Sequence, residues 1–120
     1  MFINFSNHPS TRWSEKQVLY AKQYGEICDM AFPSVGPTAD ENEIENLSSQ
    51  ILGDIMKKHP KAVLVQGEFT LCYSLIKKLR KENIRCLAAC STRNVIEKTQ
   101  SDGSIKRESV FEFCRFREYV

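Results

Sequence analysis

The sequence predicts an α/β protein: a mostly parallel sheet flanked by helices and closed by a C-terminal β-hairpin. Short apolar runs at 1–5, 27–32, 62–66 and 84–90 alternate with helical stripes, the pattern of strands joined by helical crossovers. Ser14-Glu15-Lys16-Gln17 and Thr38-Ala39-Asp40-Glu41 both match the capping box that opens a helix. Asp102-Gly103 lies between two alternating segments, which is a hairpin signal.

Taken in order, residues 1–5 suit a central strand. A helix over about 14–24 follows, with Ser14 as N-cap, Gln17 reaching back, Val18, Leu19 and Ala21 as its stripe, and Gly25 at the position that ends it. The second strand, 27–32, is interrupted by Asp29 and closed by Pro33, and Ser34-Val35-Gly36-Pro37 is a loop. A helix over about 40–58 carries Ile44, Leu47, Ile51 and Ile55 at helical spacing. The third strand feeds a helix over about 70–82 whose buried face is Leu71, Cys72, Leu75, Ile76 and Leu79. Its terminal Lys77, Lys78, Arg80 and Lys81 complement the helix dipole. Residues 1–93 thus form a β-α-β-α-β-α-β core with right-handed crossovers, and 94–120 the hairpin, all within one domain of 120 residues. Phe111, Phe113, Phe116 and Tyr119 give the hairpin more aromatic area than an exposed one should show. A partner surface and packing on the sheet both account for it.

At 42% hydrophobic and 27% charged residues the composition is that of an ordinary soluble protein. A net charge of +2 excludes a strongly basic coat for duplex nucleic acid. The chain is short of a two-halved dinucleotide fold, so a composite site needs a second copy. No run of about 18 apolar residues and no signal-peptide layout is present, so no membrane partner is expected and the cytoplasm is the expected location. Cys28, Cys72, Cys86, Cys90 and Cys114 form no Cys-x-x-Cys pair and read as buried reduced thiols. Cys86 and Cys90 share a strand face but stand too far apart to chelate one metal. His8 and His59 have no second ligand at metal spacing, so neither a metal nor a cofactor is expected.

Three turns carry the functional expectation: Asn7-His8-Pro9-Ser10-Thr11-Arg12, Gly67-Glu68-Phe69-Thr70 and Ser91-Thr92-Arg93. Each follows an apolar strand, and the carboxyl ends of parallel strands share the rim where such folds bind ligands. Hydroxyls, backbone N–H groups and arginines converging there favour an anion, most often a phosphate. The 66–70 segment has neither the Lys of a Walker A loop nor a Gly-x-Gly-x-x-Gly fingerprint, which argues against ATP hydrolysis and NAD binding. Gly67 permits close backbone approach, and Glu68 would repel phosphate and suits a ribose hydroxyl, an amine or an arginine. Arg12 and Arg93 offer planar forks for phosphate; solvation, or pairing with Glu97 or Glu68, is the competing account. A strand-end His8 suits general acid–base work, although such a histidine is more often structural. Trp13 stacks on a base or covers helix packing.

The opening Met1-Phe2-Ile3-Asn4-Phe5-Ser6-Asn7-His8-Pro9-Ser10, the 67–70 turn, Ser91-Thr92-Arg93 and the closing Phe113-Cys114-Arg115-Phe116-Arg117-Glu118-Tyr119 together resemble small stand-alone CRISPR-associated proteins of type III systems. The resemblance covers nearly the whole chain in the order of its elements, and its motifs are short. It implies a single Rossmann-like domain of the CARF kind, some of which are ring nucleases in antiviral defence. It further implies a homodimer holding a cyclic oligoadenylate across its two-fold axis. On that reading a ribose 2′-hydroxyl attacks the adjacent phosphorus without a metal, since no carboxylate cluster marks the rim. His8, Arg93 and Arg12 are the catalytic candidates. Asn7, Ser10, Thr11, Gly67, Glu68, Phe69, Thr70, Ser91 and Thr92 are the ligand contacts. A sensor or sponge that binds without cleaving uses the same residues. A small interaction subunit with an inert rim and a docking hairpin is a third reading, which tight cyclic-nucleotide binding would remove.

Overall fold

A computed structural model describes residues 1–120. Its elements run β1 (Phe2–Ser6), a 3-10 turn (Ser10–Arg12), α1 (Glu15–Lys22), β2 (Ile27–Ala31), α2 (Glu41–Met56), β3 (Ala62–Val65), α3 (Phe69–Lys81), β4 (Arg85–Thr99) and β5 (Ile105–Glu118). The five strands form one sheet in the order β2-β1-β3-β4-β5, parallel throughout except for β4 with β5. The α/β class and the mostly parallel sheet agree with the sequence reading. No helix is long and apolar enough to cross a membrane.

β1 is buried along its whole length because it pairs on both edges and is covered on both faces. Alternate residues serve opposite faces. Ile3 and Phe5 join Val63, Val65 and Cys86 beneath α2 and α3, where Ile51, Ile55, Leu71, Leu75 and Leu79 complete the larger core. Phe2, Leu64 and Leu87 face the other way, toward Ala21 of α1, Trp13 and the β5 phenylalanines Phe113 and Phe116. The chain steps from β1 outward to β2 and then back across to β3, so crossovers of one hand place α1 on the opposite face from α2 and α3. One face therefore carries two helices and the other only one.

Helix starts follow side-chain caps, with two shifts from expectation. Ser14 Oγ accepts from the Gln17 N–H at 3.2 Å, as the sequence predicts. The α2 cap is Asp40 rather than Thr38; its carboxylate takes the Glu43 N–H at 2.8 Å, and a charged acceptor binds the helix N-terminus more strongly than a hydroxyl. α3 starts one residue earlier than expected, at Phe69, with Glu68 as its cap. Gly25, at φ +125°, ends α1 with its N–H on the Lys22 carbonyl.

The larger departure lies at the C-terminal end. β4 does not stop at Cys90: it runs to Thr99 and pairs with β5 along its length, so Ser91-Thr92-Arg93 is strand and not a rim turn. Ser and Thr suit an exposed antiparallel ladder as well as they suit a turn. Cys90 pairs with Arg115 and Ser91 with Phe113, leaving Cys114 as an extra residue in a β-bulge. Beyond the bulge the two strands project as an arm. The radius of gyration is 17.3 Å, against about 14 Å for a compact 120-residue chain. At the arm's tip the Asp102 carboxylate accepts from the Ser104 N–H and hydroxyl, and Gly103 sits at φ +87°.

Candidate ligand-binding cleft

Strand order reverses between β1 and β3, and ligands in open α/β sheets bind beyond the carboxyl ends at such a reversal. A cleft of about 540 Å³ opens there. Leu64, Ala89 and the buried Phe113 form its apolar floor. Ser6, His8, Arg12, Ser14, Gln17, Gln66 and Ser91 bring polar groups around it, and Trp13 and Phe111 supply aromatic walls. It exists because the sheet face carrying α1 has no second helix over β3 and β4. An apolar floor with convergent polar groups is the usual composition of a small-ligand site.

The loop that carries His8 is anchored from below. Asn4, 1% exposed in the middle of β1, donates through Nδ2 to the His8 carbonyl at 2.8 Å and to Asp29 Oδ1 at 2.9 Å. Its Oδ1 accepts from Ser6 Oγ at 2.6 Å, and Ser6 Oγ in turn accepts from the His8 N–H at 3.2 Å. Asp29 also takes the Ser10 N–H and, at 3.0 Å, the Ser10 hydroxyl. This network fixes the backbone of 6–10 and leaves the His8 imidazole without an intrachain partner. Arg12, exposed at the end of the 3-10 turn, belongs to none of the chain's ion pairs. Trp13 meets Phe2 edge-on at 6.1 Å and also lines the cleft.

The cleft gathers His8, Arg12 and Ser91 from the residues expected at the rim. The others lie elsewhere. Asn7 is exposed beside the cleft, Ser10 is held by Asp29, and Ser10 and Thr11 border a separate hollow with Val18 and Lys22. Thr92 stands on the opposite face of β4 from Ser91, with its hydroxyl on the Glu112 carbonyl at 3.5 Å, and Arg93 lies on the arm. The 67–70 turn has a structural account. A Cβ on Gly67 would fall 2.5 Å from the Phe32 ring, so the glycine makes room for packing rather than for a ligand. The Glu68 carboxylate accepts from the Thr70 hydroxyl and from the Thr70 and Leu71 N–H groups at 3.0 and 2.8 Å. These bonds, the Thr70 hydroxyl first, hold its pKa below the ordinary value and fill the α3 N-terminus where an anion would sit. Phe69 is 89% exposed and contributes nothing to the cleft.

Sequence reasoning did not place Gln17, Gln66 and Phe111 at the site. The one signal for the anchoring network was a pair of polar residues inside apolar strands, Asn4 and Asp29, which the β1–β2 register sets side by side. No group of three or more His, Cys, Asp or Glu side chains is placed to hold a metal.

Fold and cleft together define an open-sheet α/β protein with a ligand-sized crevice at its switch point. The sequence model of the uncharacterized protein MJ1673 family matches residues 1–117, and the chain belongs to that family. No curated protein and no solved structure matches it.

Proposed function

We propose that the protein is a Rossmann-like, CARF-like domain with a closing hairpin that binds a nucleotide phosphodiester in the switch-point cleft, the ligand being the cyclic oligoadenylate of type III CRISPR defence. The observation that carries the reading is the meeting of Arg12, which no carboxylate neutralises, with the Trp13 and Phe111 walls over one apolar floor. A guanidinium suits a phosphate oxygen, aromatic faces suit a base, and the Gln17, Gln66 and Ser91 side chains suit base edges and ribose hydroxyls. A cytoplasmic homodimer would set two clefts against one ring.

Cleavage on this reading is attack by a ribose 2′-hydroxyl oxygen on the adjacent phosphorus. The new O–P bond forms as the bond to the 5′-oxygen breaks; the hydroxyl proton leaves to a base such as His8, and the 5′-oxygen takes up a proton. Arg93 lies outside the cleft, so a single protomer brings one arginine to the phosphate. That placement favours the sensor or sponge over the nuclease.

Incubation of the purified protein with cyclic oligoadenylates of several ring sizes, with and without EDTA, followed by chromatographic separation of bound, intact and cleaved ligand, tests the reading. Retention of at least one ring is expected. Failure to retain any of them would sink it, and cleavage abolished by EDTA would overturn the metal-independent step.

A further inference from the structure

We infer that the face of the β4–β5 arm rising from the cleft is a second nucleotide subsite, which takes the next base and phosphate of a ligand whose first nucleotide lies in the cleft. The inference rests on the nucleotide-binding reading above. Arg93 and Phe111 are direct partners across the ladder, so their side chains share one face with Cβ atoms about 5 Å apart. Phe111 forms part of the cleft wall yet is 70% exposed, an aromatic platform open to solvent at the mouth.

Arg93 supplies the charge. Its Nε and Nη2 donate to Ser109 Oγ at 3.1 and 2.9 Å, and Ser109 lies on the same face, one step nearer the arm's tip. Two bonds to a neutral hydroxyl orient the guanidinium without neutralising it, and its remaining N–H donors have no partner in the chain. The other arm cations are all compensated. Arg107 meets Glu97 at 3.0 Å, and Lys98 and Lys106 meet Glu108 at 3.4 and 3.5 Å. Arg93 is the arm's one cation without a carboxylate, and it stands beside Phe111, the exposed aromatic wall of the cleft. A pre-oriented guanidinium next to a stacking surface, continuous with a cleft holding Arg12 and Trp13, repeats the cation–aromatic pair of the cleft itself. Phosphodiester chemistry carries this same alternation of charge and ring.

Binding of adenosine 5′-monophosphate and of linear 5′-phosphorylated diadenylate to the full chain tests it, read by titration calorimetry. The wild-type protein should prefer the diadenylate by about 10- to 100-fold. In Arg93→Ala and in Phe111→Ala that preference should shrink to within about threefold, with both variants folded by circular dichroism. A wild type with no diadenylate preference, or a preference intact in both variants, overturns the subsite while leaving the cleft reading standing. Binding of neither ligand takes down the cleft reading itself. A wild type whose self-association is lost in both variants, with the preference unchanged, gives this face to a second copy of the chain and also overturns the subsite.

Discussion

Asn4 and Asp29, neighbours across β1 and β2, are joined by a 2.9 Å hydrogen bond from the Asn4 amide to the Asp29 carboxylate, and between them they hold the Ser6 hydroxyl, the His8 carbonyl and the Ser10 N–H and hydroxyl. The Asn4 amide is almost wholly buried, and its removal leaves the His8 carbonyl only the longer 3.2 Å bond from the Ser6 hydroxyl. Asn4→Ala should lower stability by about 1–3 kcal/mol. Hydrogen exchange at the His8 and Ser10 amides should rise together in this variant. Exchange unchanged at both would mean the network does not hold the loop.

Gly67→Ala should destabilise, because the added Cβ meets three atoms of the Phe32 ring at 2.5–2.6 Å and that ring is itself packed on Phe5 at 4.8 Å. Overpacking of this kind costs about 1–3 kcal/mol. Adding Phe32→Leu should recover part of the loss in chemical denaturation. A double variant less stable than Gly67→Ala alone would contradict the packing account.

Glu68 gives a pH dependence with a definite sign. Its folded pKa lies below the ordinary 4.5, so its contribution is fully present above pH 4.5 and is lost as pH falls through the lowered value. The thermal midpoint of Glu68→Gln should therefore lie below wild type at neutral pH and converge with it in acid. A constant gap across that range would show that the carboxylate's charge is not what caps α3.

Cys86 is buried among apolar side chains, and that burial pushes its thiol up to about 11. The native thiol is neutral at pH 8 and should resist alkylation that reaches Cys28 and Cys114, both partly exposed. Because the folded pKa is raised, the stability it contributes is intact below the ordinary 9.0 and declines as pH climbs from 9.0 toward 11. Cys86→Ala should flatten that decline; rapid labelling of native Cys86 at pH 8 would refute the burial argument.

In the cleft, Arg12→Ala should weaken the nucleotide by about 1.5–3 kcal/mol, the worth of a charge-assisted bond, with little effect on folding. If the ligand is cleaved with His8 moving the proton, His8→Ala should cut turnover by about 10²- to 10⁴-fold at nearly constant affinity. Cleavage by alignment alone would leave turnover only mildly reduced. Unaltered affinity in Arg12→Ala would move the site elsewhere.

The alternation of apolar runs with helical stripes made the sheet and helices legible, since period and capping are local properties that the sequence carries openly. Ser14 announced itself through a hydroxyl three residues before Gln17. Asp40 and Glu68 each stand two residues from a threonine, Thr38 and Thr70, and only backbone geometry decides which neighbour caps the helix. His8 and Arg12 line the cleft from the loop after β1, and Ser91 lines it from within a strand. Phe111 could not be foreseen as a wall. Its direction depends on β5 standing beside β4 and on the residue inserted at Cys114, and neither is a local property.

That inserted residue acts as a parity bit for the arm. Phe113 and Phe116 are three apart, yet both turn toward α1, which a regular strand forbids. Were the bulge absent and Cys114 paired with Ser91 instead, every β5 residue on the arm side of Cys114 would exchange faces. Cys114 and Glu112 would then stand opposite Ser91 and Arg93 in place of Phe113 and Phe111, setting a carboxylate where the cleft now has an aromatic wall. One bulged pairing thus fixes the kind of surface that an approaching molecule meets.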